Sequence, residues 1–178
     1  MVRTRVGYTG GTLKDPTYHN LGDHTESIQI EYDPAKATFD QMLDLVWGCH
    51  NPCGGSWSRQ YMSAIFYDGE GQKKAVLASK ARLEEKLGKP VKTAILPLVK
   101  FYLAEDYHQK YELRCNADMI KEFKAIFADE KDLLNSTAAA RVNGYLAGRG
   151  TKEQLKKEID LLGLSADGKK RLQIYVTK

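Results

Sequence analysis

Val6-Gly7-Tyr8-Thr9-Gly10-Gly11, followed by Pro16-Thr17-Tyr18 and then His24-Thr25-Glu26, decides how this chain is read. Val2–Tyr8 alternates loosely between apolar and polar residues and predicts a strand that Gly10-Gly11 stops. Thr12–Asp23 carries Pro16, Asn20, Gly22 and Asp23, which are turn formers, so it reads as a loop. Ser27–Tyr32 then sets Ile28, Ile30 and Tyr32 on one face at period two and closes at Asp33-Pro34. That pattern predicts a second strand with one buried face.

Further along, Thr38 is positioned to cap a helix in which Phe39, Met42, Leu43, Val46 and Trp47 fall on one side. Asn51–Ser58, with Pro52, Gly54 and Gly55, breaks it. Met62–Tyr67 is a short apolar strand, and Gln72–Leu87 a helix that Gly88 and Pro90 end. Val91–Leu96 is a strand ended by Pro97. Ala104–Leu113 is expected to be helical, with Glu105 and Asp106 in its first turn, where the helix dipole favours acids. The remainder reads as helical. Thr137–Leu146 is Ala-rich, and Thr151-Lys152-Glu153-Gln154 resembles a capping box for a helix to Leu162 that Gly163 stops. A last short helix begins near Ala166. Strands and helices in this order argue an α+β fold with a mainly antiparallel sheet. The expected division is a domain over residues 1–135 and a helical, basic C-terminal extension over 136–178.

The 178 residues suffice for one domain with a core, and 42% hydrophobic with 28% charged residues is ordinary for a soluble globular protein. No stretch approaches the ~20 apolar residues of a membrane helix, and the first six residues lack the apolar run of a signal peptide. A cytoplasmic chain is expected. The net charge of +4 concentrates in residues 141–178, which hold nine Lys/Arg against four acids. Acids and bases alternate there as on solvated helix faces, without aromatic interleaving, so neither nucleic acid nor membrane is expected as a partner. Three cysteines, an odd number, argue against a disulfide framework. Cys49 and Cys53 flank His50 as Cys-His-x-x-Cys, short of the four ligands of a structural zinc site, and no metal is expected. Cys49, on the apolar helix, reads as core filler. Cys53, in the loop between Pro52 and Gly54, reads as the more exposed thiol.

Seven blocks in series resemble the A-type peptide methionine sulfoxide reductases: Val6–Gly11, Pro16–Tyr18, Gly22–Glu26, Tyr32–Pro34, His50–Pro52, Gln60–Ile65 and Phe101–Tyr111. The resemblance runs from about Val2 to Tyr111. It implies a ferredoxin-like α/β roll with its first strand and helix missing from this chain. It also implies thiol-dependent reduction of the S epimer of methionine sulfoxide, free or in proteins, as repair under oxidative stress. Glu26 matches the family's acid, which protonates the departing oxygen. Tyr18 and Tyr61 match the two phenols that hold that oxygen. His24, Tyr8 and Trp57 are implied around the substrate: His24 and Tyr8 chiefly shape loops, and Trp57 lines an apolar wall. The resemblance implies thioredoxin, or dithiothreitol in vitro, as reductant. It implies no cofactor, and a monomer is expected.

The sequence also departs from the family. Gly-Cys-Phe-Trp-Gly, which carries the nucleophile there, does not occur in these residues. Three readings follow: an incomplete version of an active enzyme whose nucleophile is cysteine or selenocysteine, a pseudoenzyme that binds oxidised methionine in a partner without reducing it, or substitution by another cysteine. Cys53 and Cys115 are the candidate redox thiols, and Cys115 is the more plausible resolving one. Ser56 stands where the family commonly has an aspartate, and Ser58-Arg59 replaces Gly-Thr before Gln60-Tyr61.

Overall fold

Gly7 explains the first pairing of the fold. In the computed structural model, which describes residues 2–177, β1 (Arg3–Thr9) runs antiparallel to β5 (Phe101–Leu103), with Gly7 opposite Leu103 and Tyr8 opposite Tyr102. A Cβ on Gly7 would overlap the Tyr102 carbonyl oxygen and the Phe101 ring, so only glycine lets the strands close. β5 has three residues and follows closely on Pro97, too short a run to register as a strand in the sequence. β2 (Thr25–Glu31) completes a sheet of order β2-β1-β5.

A second, two-stranded sheet pairs β3 (Ala64–Tyr67) with β4 (Ala94–Pro97) in parallel, Ala64 opposite Ala94 and Tyr67 opposite Pro97. Parallel neighbours need a crossover, and α2 (Gly69–Leu87) supplies it. The α+β class stands, with an antiparallel pairing in one sheet and a parallel pairing in the other. α1 (Phe39–Gly48) begins with the capping box that Thr38 announces, its hydroxyl accepting from the Gln41 N–H at 3.2 Å while the Gln41 amide accepts from the Thr38 N–H at 2.9 Å. Leu43 and Trp47 of α1 pack with Val76 of α2 and with Val91, and the buried Trp47 indole N–H donates to Ser79 Oγ at 2.8 Å.

The remaining elements are α3 (Tyr111–Cys115), α4 (Ala117–Ile126), α5 (Glu130–Asn135), α6 (Thr137–Leu146), α7 (Lys152–Glu158) and α8 (Ala166–Thr177). None of the described helices is long and apolar enough to cross a membrane. The Thr151–Gln154 capping box forms as the sequence predicts, and Gly163 takes a φ of +71° after a short 3-10 turn at Ile159–Leu161. Ala104–Leu113 is not one helix. A 3-10 turn covers Asp106–His108, Lys110 adopts a φ of +52°, and α3 starts only at Tyr111.

The chain forms two compact units. One comprises Val6–Ile28 and Tyr32–Ala104, the other Met1–Arg5, Gln29–Glu31 and Glu105–Lys178. The second unit is held by a core of its own. A single apolar cluster joins Leu113, Met119 and Phe123 to Val142 and Tyr145 of α6, Leu155 of α7 and Leu172 of α8. The last helices finish a core that α3 and α4 begin. The apolar stripe of β2 also differs from expectation, with Ile28 59% and Ile30 39% exposed. Its polar stripe is the engaged one: Arg3 donates to Glu31 at 2.6 Å, and Arg5 to Glu31 and Gln29 at 2.5 and 3.1 Å.

Lys110 is buried in this second unit. Its ammonium donates to the Thr4 carbonyl and hydroxyl at 2.5 and 3.0 Å. Burial, and then the charges of Arg5 and Arg114, pull its pKa from 10.5 down to about 8. Below pH 8 folded and unfolded chains both hold this proton. Between about pH 8 and 10.5 only the unfolded chain does, so the Lys110 contribution to stability rises with pH across that window. Urea unfolding of wild type and Lys110→Met at pH 7.5 and 10 should show wild type gaining about 1–3 kcal/mol relative to the variant at the higher pH.

Candidate active site

The site residues gather on two loops of the first unit, residues 10–24 and 51–62, and on the adjoining ends of β1 and β2. Gly10 takes a φ of +81°, and a Cβ there would lie 2.5 Å from the Phe66 ring. At Gly11 a Cβ would lie 2.6 Å from both Asp23 Oδ1 and the His24 nitrogen. Both glycines are required by close approach, which turns the chain back over the end of β1. Asp23 then ties the loop down, its carboxylate accepting from the Thr12 N–H at 2.7 Å and from the Thr12 hydroxyl. These bonds, the Thr12 backbone first, hold the Asp23 carboxyl below its ordinary range.

His24 uses both ring nitrogens inside this loop. Nδ1 accepts from the Gly11 N–H at 3.2 Å, Nε2 donates to the Leu13 carbonyl at 2.8 Å, and the ring is buried edge-on to Tyr102. This is the neutral Nε2–H tautomer in a loop-shaping role. Tyr8 is also buried, with Leu21 and Ala104, and lies beneath the loops rather than at their surface.

Glu26 is fixed from the other loop. Its N–H donates to the Gln60 carbonyl at 2.9 Å, and the neighbouring Thr25 hydroxyl donates to the Arg59 carbonyl at 3.0 Å. The Gln60 side-chain amide donates to Glu26 Oε1 at 2.6 Å and to the Tyr61 phenol oxygen at 3.1 Å. Tyr18 sits in a tight turn closed by reciprocal backbone bonds between Thr17 and Asn20, at 3.1 and 3.0 Å. The Tyr61 phenol interacts with Tyr18 and Glu26 and shares the Gln60 amide with Glu26, so the acid and both phenols predicted from sequence lie in one cluster. Its pKa is raised above the ordinary phenol value by the Tyr18 hydrogen bond first, then by desolvation and the Glu26 charge. The Trp57 ring lies 5.1 Å from the Tyr61 ring and is 82% exposed, so it is not packing filler.

The thiols reverse two expectations. Cys49 is exposed, while Cys53 is half-buried against the cluster of Leu43, Trp47, Val76 and Val91. α1 turns its Leu43/Trp47 side inward and ends at Gly48, which leaves Cys49 beyond the buried side, while the following turn tucks Cys53 under it. Cys115 is exposed at the end of α3, in the other unit, and interacts with the Tyr111 hydroxyl one turn earlier. His50 engages the Val46 carbonyl through Nδ1 and the Thr93 hydroxyl through Nε2, at 2.9 and 2.8 Å. Among the described residues no group of three His, Cys, Asp or Glu side chains could hold a metal ion.

Sequence reasoning passed over Arg59, Asp23 and Gln60 as site builders. Arg59 donates to the Asp23 carbonyl at 3.1 Å and to the Gly10 carbonyl at 2.7 Å, clamping the two loops together. Its signal was the departure from the family's Gly-Thr. Ser56, at the position of the usual aspartate, donates to the Ser58 carbonyl at 2.8 Å and stays within its own loop.

The cluster thus sets a carboxyl beside two phenols on an α+β frame. Comparisons with known proteins give the family. Residues 1–140 match the family model of peptide methionine sulfoxide reductase, and the chain belongs to that family. It is 41% identical over 167 residues to a peptide methionine sulfoxide reductase of Drosophila melanogaster, covering 93% of this chain and 67% of that protein. Identity to peptide methionine sulfoxide reductase A5 of Oryza sativa subsp. japonica is 35% over 169 residues, covering 90% and 66%. The chain thus spans about two thirds of the length of these relatives. Among solved structures it resembles reduced Mxr1 of Saccharomyces cerevisiae, with a TM-score of 0.59 and 27% identity over 64% of this chain and 70% of that one.

The phenol cluster is open to direct measurement. With tyrosines labelled at the ring carbon bearing oxygen, NMR titration should place Tyr61 above an ordinary phenol, and Tyr18→Phe should bring its midpoint down. A Tyr61 midpoint unmoved by Tyr18→Phe would show that the two phenols are not bonded in solution.

Proposed function

We propose that this chain provides the acid and the oxygen-binding groups for reduction of the S epimer of methionine sulfoxide, free or in proteins, to methionine. The observation that carries the proposal is the Gln60 amide joining the Glu26 carboxyl to the Tyr61 phenol, at 2.6 and 3.1 Å, with Tyr18 acting on the same phenol. In the overall reaction two thiols become one disulfide, and the sulfoxide becomes a thioether plus water. The thiols supply two electrons and two protons. A thiolate attacks the sulfoxide sulfur, and the S–O bond breaks as the oxygen takes up two protons and leaves as water. Water then attacks the enzyme sulfur, the sulfur–sulfur bond breaks, and the thioether departs with a sulfenic acid left behind; a second thiol converts that acid to the disulfide with loss of water. The phenols of Tyr18 and Tyr61 hold the oxygen as charge develops on it, and Glu26 donates the proton that makes it a leaving group. Trp57 offers its exposed face to the apolar part of the substrate.

The attacking sulfur, or selenium, is assigned to a Gly-Cys-Phe-Trp-Gly-type segment, which these 178 residues do not contain. Of the thiols present, Cys115 is proposed to resolve the sulfenic acid and Cys53 is the second redox candidate. Thioredoxin is proposed as the reductant, the protein as a monomer and the cytoplasm as its location. No prosthetic group takes part in this scheme.

Two experiments test the reading. Intact mass of the protein from its native source is expected to exceed the 20.0 kDa of this chain, with a Cys or selenocysteine ahead of Phe-Trp-Gly. A native mass of 20.0 kDa would turn the reading toward binding without reduction. In the native-length protein with dithiothreitol, Glu26→Gln should slow loss of (S)-methionine sulfoxide about 10²–10⁴-fold and weaken its binding only modestly. Full activity in Glu26→Gln would remove Glu26 from the mechanism.

A further inference from the structure

Gln60 touches both chemical groups of the site, and nothing above assigns it a part in the reaction. Its side-chain nitrogen lies 2.6 Å from Glu26 Oε1 and 3.1 Å from the Tyr61 phenol oxygen. The nitrogen end of the amide faces Glu26 Oε1, which accepts whether the carboxyl is ionised or carries its proton on the other oxygen. That nitrogen has two hydrogens, one for each partner. The backbone of the same residue accepts the Glu26 N–H at 2.9 Å. One residue therefore holds the acid at its main chain and at its carboxyl, and holds the adjacent phenol as well.

We propose that Gln60 is a positioning residue for the reduction: its amide fixes the Glu26 carboxyl and the Tyr61 phenol relative to each other, so that both meet the same sulfoxide oxygen. The inference rests on the functional reading given above. Oε1, occupied by the Gln60 donor, is then not the oxygen that carries the proton to the substrate, and Oε2 is. The amide also donates to the Tyr61 oxygen, so it stabilises the phenolate against the Tyr18 and Glu26 interactions that raise its pKa. The arrangement matters because Ser56, in place of the family's aspartate, bonds within its own loop. Gln60 is thus the neutral donor that joins acid and phenol.

Two variants separate positioning from simple loop support. Gln60→Met removes the donor, and Gln60→Glu keeps the shape but substitutes an acceptor. In the 178-residue chain, tyrosine NMR should show the Tyr61 midpoint moving further up in both variants, because the phenolate loses a donor. A loop that merely loosened would release Tyr61 from Tyr18 and Glu26, and the midpoint would move down. A downward or absent shift overturns the proposal. In the native-length protein with dithiothreitol, Gln60→Met should lower kcat for (S)-methionine sulfoxide by about 10²-fold, the scale of a small misplacement of a reacting group, with KM little changed. It should also be non-additive with Tyr61→Phe. A wild type that turns over while Gln60→Met keeps its kcat overturns the positioning role alone. A wild type that leaves methionine sulfoxide untouched overturns the reading of the site, and the positioning role with it.

Discussion

The site depends on one staple, the bonding of Thr25 and Glu26 to Arg59 and Gln60. A backbone N–H, a threonine hydroxyl and a side-chain amide all cross between the start of β2 and the loop before β3. Neither segment is regular structure along its whole length, and loop side chains are free to wander unless tethered. Here the tether is made by the residues that flank the chemical groups. Arg59 extends it to Gly10 and Asp23, so the glycine turn, the buried His24 and the Glu26 carboxyl become parts of one framework. The glycines are the counterpart of the staple. Without the room they leave, the loop carrying Asp23 and His24 could not lie against the end of β1.

The helical unit follows a different logic. Short helices do not hold themselves together, and α3, α5 and α7 have only five to seven residues each. Their stability comes from the shared cluster running from Leu113 through Phe123 and Val142 to Leu172, and from side-chain caps at Asn116, Asp129, Ser136 and Thr151. Alignment over 93% of the chain with the fly protein takes in most of these helices, so they belong to that relative's sequence as well. Within this unit Lys110, at a left-handed backbone position, keeps a cation out of water against a strand carbonyl.

Much of this was legible in the sequence, for identifiable reasons. Thr38 and Thr151 announced their helices because a capping box is local and reciprocal, needing only residues three apart. Tyr18, Glu26 and Tyr61 were found through the motifs around them, and they do come together. What escaped was set by distant partners. The exposure of Ile28 and Ile30 depends on which face of β2 the β1 arginines engage, and alternation alone gives a face without saying where it points. The exchange of places by Cys49 and Cys53 depends on where α1 ends and how the next turn folds under it. The break at Lys110 has no Gly or Pro to mark it, and a lysine at positive φ is held there by its own tertiary bonds to Thr4. Gln60 was visible in its motif, but its meaning lies in two bonds that only the folded loop creates.

The exposure of the cluster bears on how it would work. Tyr18 is 37% exposed and Tyr61 44%, so neither side chain is sealed from water. A phenol donor in water gains little by binding an oxygen that water would bind as well. Its advantage appears when water is excluded and the donor is already aimed. The staple and the Gln60 amide supply the aim. Exclusion then falls to what comes to lie over the phenols, and the exposed Trp57 ring beside Tyr61 offers the apolar edge against which a methyl and its chain can close that surface.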